Sequence, residues 1–150
     1  SFCGYQYPEE INTADTGYAM DTLTTNYWDP ANRDLSVARM VLAVGLFHTP
    51  TLWGFDVQNS SFGVDANGFV LHNSGTENAK YGAHAVIAVG IVTNAQLSDL
   101  LPGAPVAPGT GYFVIKNSWS NCWGDGGYAY VPFESVRSYT LEMNASPGVE

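Results

Sequence analysis

The chain has 150 residues, 45% of them hydrophobic, and carries 5 Lys+Arg against 14 Asp+Glu, a formal net charge of -9 at pH 7. That length closes one globular core and leaves little for two independent domains. The acidic balance excludes a surface built to neutralise nucleic acid or an anionic membrane, and the longest apolar run, MVLAVGLF, falls well short of the ~20 residues of a membrane span.

Residues 1–32 are rich in Tyr, Thr, Asn and Pro without a sustained period of 3.6 or 2.0, and read as extended segments and turns that cover a core. They open SFCGYQYPEE, with no initiator Met and no basic stretch leading into an apolar one, so a removed leader or a longer parent chain is expected. Residues 34–44, DLSVARMVLAV, are apolar on nearly every side except Arg39. They predict a short, largely buried helix, started by Asn32 or Asp34 and stopped at Gly45, the one helix expected. Strand patterns follow at 49–57, 68–72, 84–92, 112–118, 127–132 and 139–143, separated by turn chemistry such as Asn67-Gly68 and Gly124-Asp125-Gly126-Gly127. The longest connection, TNAQLSDLLPGAPVAPGTG, holds three prolines and three glycines and reads as a surface loop. The sum is an α+β fold, a mostly antiparallel sheet or half-barrel with one packed helix and no internal repeat.

The three histidines, His48, His72 and His84, are too irregularly spaced for a metal-ligand signature, so no metal is expected. His84 differs by context: it opens a strand among small neighbours, GAHAVIAVG, which leaves room beside the ring at a sheet end. Asn117 ends the strand YFVIK. Its amide can accept a hydrogen bond from one imidazole nitrogen and so set the tautomer that the other presents. Trp119, two residues on, shares Asn117's side of the chain and could shield that bond from water. The plainer reading is an asparagine that caps a strand end and a core tryptophan. Cys3 and Cys122 alone do not define a redox compartment, and they could pair with each other or with another chain. Sequons at Asn59 and Asn144 matter only in a glycosylating secretory system.

GAHAVIAVGI followed by GYFVIKNSWSNCWGDGGYAYV resembles the C-terminal half of the papain-like cysteine peptidases, most strongly over 84–131 and less over 35–83, where FGVDANGFV also fits. The resemblance implies that residues 1–150 form the C-terminal, β-barrel-like lobe of that fold. It makes His84 the catalytic histidine and Asn117 its orienting partner. Trp119 becomes the shielding aromatic, Trp123, Gly124 and Gly127 the hairpin that holds it, and Gly82, Ala83 and Ala85, with Trp119, the lining of a substrate cleft. Ala83 stands where the family usually has Asp or Asn, Ser120 where it has Gly, and Cys122 at a variable position. The loop over 93–111 is longer than in compact members and is expected to approach the cleft or a partner.

Such chemistry needs a thiolate, yet no Cys-Gly-Ser/Ala-Cys-Trp/Tyr signature is present. In the family the histidine lies roughly 130 to 150 residues after the cysteine, and only 83 residues precede His84. The nucleophile is therefore expected on an N-terminal lobe or a companion chain. Cys3 lacks the neighbours that lower a thiol pKa, and Cys122 could not face His84 without displacing Trp119, so a disulfide role is expected for both, Cys3 pairing with Cys122 or with the other half. Gln6 has the wrong context for an oxyanion-hole donor. The implied activity is hydrolysis of peptide or protein substrates without a cofactor, in an extracytoplasmic, secreted or lysosome-like setting. The alternatives are a catalytically silent binding or structural subunit, and a lone lobe that takes peptide along a sheet edge.

Overall fold

The computed structural model describes residues 25–26, 28–57, 64–70 and 82–145. Cys3, Gln6, Asn59, His72 and most of the first 32 residues, with the expectations that fall on them, lie outside the described residues.

The expected helix forms as α1, Arg33–Val41, but it lies on the surface instead of being largely buried, with only Ser36 and Met40 buried on it. Asn32 caps it, its side chain accepting from the Leu35 N–H at 3.3 Å, and Asp34 sits in the positive first turn. Ser36, fully buried, is satisfied on both sides. Its hydroxyl accepts from the Asp29 N–H at 2.8 Å and donates to the Asn32 carbonyl at 3.2 Å, which ties down the chain entering the helix. Gly45 does not stop the helix. The chain widens into a π-helical turn over Leu42–Leu46, and a Cβ on Gly45 would meet Ile91 Cδ1 at 2.5 Å, so this glycine serves close packing.

Among the described residues the sheet has six strands: β1 Thr25–Asn26, β2 Thr51–Asp56, β3 Ala83–Thr93, β4 Gly111–Lys116, β5 Tyr128–Pro132 and β6 Thr140–Ala145. Their order is β1-β6-β2-β3-β4-β5, every neighbouring pair antiparallel. Five of the expected strands therefore stand close to their predicted bounds. At 68–72 the described part is only a tight turn, with a parallel bridge from Phe69 to Tyr130 and an antiparallel one from Val64 to Val70.

Two short helices accompany α1, where the sequence led us to expect one helix alone: α2, Asn94–Leu100, and α3, Phe133–Tyr139. The first lies in the segment read as loop. A capping box starts it, the Thr93 hydroxyl accepting from the Gln96 N–H at 3.2 Å while Gln96 accepts from the Thr93 N–H at 2.8 Å. The Asn94 side chain then pins Ala107, donating to its carbonyl at 3.0 Å and accepting from its N–H at 2.9 Å. This insertion starts at the far end of β3, about 30 Å along the strand from His84 at roughly 3.3 Å per residue, so its start lies away from the cleft, and the expected approach to a partner is left as a proposal.

The main core is built from Met40, Phe113, Val136 and Met143, all fully buried, with Trp53 stacked on Phe55 at 4.2 Å. Trp53 Nε1 donates to Thr140 Oγ1 at 2.8 Å in the interior. Thr140→Val keeps the shape and removes that acceptor, so it is expected to destabilise the fold by about 1–3 kcal/mol, read from the midpoint of urea unfolding.

A second cluster gathers Phe69, Leu97, Ala107 and Tyr112, with Tyr130 against it. Burial, with nearby Asp65, raises the Tyr112 phenol above the ordinary 10.0. Burial, a hydrogen bond to Asp125 and that carboxylate's charge raise Tyr130 likewise. Above about pH 10 the unfolded chain then loses phenolic protons that the native state keeps, so stability falls as pH rises through the native values. Unfolding midpoints measured between pH 8 and 11.5 are expected to drop in this way, and Tyr112→Phe with Tyr130→Phe to flatten the alkaline limb.

Candidate active site

His84 is the second residue of β3 and Asn117 the first after β4. The antiparallel register, Ile87 opposite Lys116, brings that strand start and that strand end to the same end of the sheet. Two residues 33 apart in sequence thereby meet, with His84 Nε2 and Asn117 Oδ1 2.9 Å apart. Ser118 N–H donates to the same Oδ1 at 2.7 Å. With one backbone donor committed to it, that oxygen must accept from the ring, so Nε2 carries a proton and Nδ1 is the nitrogen left for chemistry. The Asn117 N–H donates to the Gly127 carbonyl at 3.0 Å, which ties the amide to the hairpin that follows.

The imidazole is held by aromatic rings. Trp119 stacks on it at 4.8 Å and 20°, and Trp123 meets Trp119 edge-on at 5.4 Å. Phe55 closes another side at 5.8 Å and 71°, delivered by the register that pairs Phe55 with His84. The indole roof excludes water from the His84–Asn117 bond and lowers the local dielectric, which strengthens it. Sequence reasoning missed Phe55. Its burial was readable from strand alternation, but its contact with His84 depends on a pairing between strands far apart in sequence.

The hairpin after Asn117 makes its turns through positive φ at Ser120, Gly124, Gly126 and Gly127. Ser120, at φ 86, occupies a conformation that favours glycine, which accounts for glycine as the family's usual residue there. Its side chain offsets part of that strain, the hydroxyl accepting from the Cys122 N–H at 3.2 Å. Cys122 is exposed on the outside of this hairpin, with Trp119 occupying the face of the His84 ring. Gly82 (φ 103), Ala83 and Ala85 are all exposed and flank His84 along the chain, Ala83 and Ala85 on the opposite face of β3. His48 is exposed at φ 52 after the π-helical turn. Among the described residues no three His, Cys, Asp or Glu side chains converge on a metal site.

An imidazole with Nε2 committed to an amide oxygen beneath an indole is an arrangement that general acid–base chemistry can use. The sequence profile of the papain family cysteine proteases matches residues 7–149, and the chain belongs to that family. It is 32% identical over 104 residues to Cysteine protease 1 of Oryza sativa subsp. japonica, covering 66% of this chain and 16% of that protein. To Cysteine endopeptidase Rep1 of the same plant it is 29% identical over 99 residues, 66% of this chain and 21% of that protein. The chain thus spans about a fifth or less of these relatives. Among solved structures it is similar to xylellain, a cysteine protease from Xylella fastidiosa, with a TM-score of 0.51 and 22% identity over 78% of this chain and 38% of that one. At that identity the likeness establishes the α+β, papain-like fold.

Proposed function

We propose that this chain supplies the histidine and asparagine of a cysteine peptidase whose nucleophilic thiolate lies outside these 150 residues, on another chain or on a half separated by processing. The observation that carries the reading is the 2.9 Å contact of His84 Nε2 with Asn117 Oδ1 beneath Trp119. In this reaction the thiolate attacks the scissile carbonyl and the protonated His84 gives its Nδ1 proton to the departing amine. Neutral His84 then takes a proton from the water that hydrolyses the thioester, and Asn117 holds the ring in line through both steps. The small residues Gly82, Ala83 and Ala85, with Trp119, would border the peptide.

A partner surface is supported by one face of the sheet. Leu52 and Ile87, paired across β2 and β3, are 41% and 43% exposed, and Val89 continues the apolar strip at 41%. We take this face as the seat of the cysteine-bearing half. A Cys3–Cys122 disulfide and an extracytoplasmic location belong to the same proposal; the exposed position of Cys122 and the absence of a free thiol among the described residues support the first.

The test is brief alkylation of the native preparation at mildly acidic pH, followed by mass spectrometry before and after reduction. A cysteine outside this segment, labelled beside a tryptophan or tyrosine, supports the peptidase. No labelled thiol on any copurifying polypeptide would make the chain a silent binding subunit.

A further inference from the structure

Next to Asn117 the sheet, the hairpin and α3 line a partly open cavity of about 20 Å³. Its apolar lining includes Phe55, Ile115 and Val131, and its polar lining comes from Asn117, Trp123, Ser135 and Tyr139. Trp123 lines it, and its Nε1 is buried without a hydrogen-bond partner among the described residues. Both indoles of the hairpin reach this cavity, yet only Trp119 stacks on the imidazole. The Trp123 ring already has its aromatic contact with Trp119, so packing alone would be served equally by phenylalanine.

A buried indole N–H left unpaired is costly, and a space this size takes one water, which needs about 10–15 Å³ and two to four polar partners. We propose that the cavity holds a single water that accepts from Trp123 Nε1 and bridges to the side-chain amide of Asn117, making Trp123 a positioning residue for the catalytic pair. The amide end available to it is the NH₂, because Asn117 Oδ1 already accepts from His84 and from the Ser118 N–H. The water's two lone pairs take Trp123 Nε1–H and Asn117 Nδ2–H, and its protons face the hydroxyl oxygens of Ser135 and Tyr139. The hairpin, through Trp123, and α3, through Ser135 and Tyr139, thereby hold the amide from behind, while His84 pulls on its oxygen from the front. The link rests on the catalytic reading of His84 and Asn117 for its consequence and on the cavity alone for its existence.

Both parts are separable by experiment on the full-length, thiol-blocked, ¹⁵N-labelled protein. A water cross-peak to the Trp123 indole proton, with the sign of a long-lived contact, is expected in the unmutated protein. In Trp123→Phe the Asn117 NH₂ resonances and the His84 ring nitrogen shifts should move, and kcat of the unblocked enzyme should fall about 3- to 10-fold at unchanged KM, the scale of one net hydrogen bond. No water contact in the unmutated protein, or Trp123→Phe with unmoved Asn117 and His84 signals, overturns the bridge. A protein that shows the contact and the shifts but hydrolyses no peptide keeps the bridge and loses the peptidase reading.

Discussion

On the proposed function, replacing His84 with alanine in the assembled peptidase is expected to lower kcat by on the order of 10⁴-fold, because one ring would supply both the proton for the leaving amine and the base for deacylation. The fold should survive, since His84 is only half-buried at the start of β3 and its aromatic neighbours keep their other contacts, Phe55 with Trp53 and Trp119 with Trp123. Asn117→Ala should cost less, on the order of 10²-fold, because the ring keeps Trp119 and Phe55 on two sides and loses only the hydrogen bond that aligns it. Steady-state hydrolysis of a peptide substrate, with a thermal melt of each variant, separates chemistry from folding. Full turnover by His84→Ala at an unchanged melting temperature removes the catalytic assignment.

Gly124→Ala is expected to destabilise the fold by about 3 kcal/mol, roughly 10 °C in Tm, and to take activity with it. Two effects add. At φ 59 the residue occupies the left-handed region, which costs an alanine about 1–2 kcal/mol. Its new Cβ would also land on the Tyr128 carbonyl oxygen, an overlap with backbone worth about 1–3 kcal/mol, since no side chain can swing away. That carbonyl accepts from Asp125 N–H at 2.8 Å and sets the turn that aligns β4 with β5, so the displacement reaches Trp119 and Trp123. Gly126→Ala is the control: its φ is 61, but nothing lies within 4 Å of the added carbon, so only the conformational cost applies. Denaturant unfolding of the two variants should differ by about 2 kcal/mol, and equal losses would mean that the turn relaxes around the clash.

Much of the candidate site was legible before any coordinates. The small residues around His84, the strand ending at Asn117 and the Asn-Ser-Trp triplet are local patterns, and local patterns survive in a one-dimensional reading. The helix over 33–41 and five of the six strands were legible for the same reason, since periodicity and turn residues act within a few positions. The capping box Thr93-x-x-Gln96 was also there to be read, but three prolines and three glycines downstream of it argued for loop and prevailed. Composition across a segment proved a weaker guide than one start signal at its head.

What the sequence could not decide is everything set by register. Gly45 looked like a helix stop because glycine usually is one; only the approach of Ile91 from β3 shows why it has no side chain. Phe55 became a neighbour of the imidazole, and Trp123 Nε1 an orphan in a cavity, through pairings between strands that are distant along the chain. The sequence by itself determined which groups are present and which strand ends carry them, because those depend on neighbouring residues. Tertiary structure alone decided that β3 and β4 pair with Ile87 opposite Lys116, and so that a histidine and an asparagine 33 residues apart share one hydrogen bond; a one-residue slip would have turned the ring to the other face.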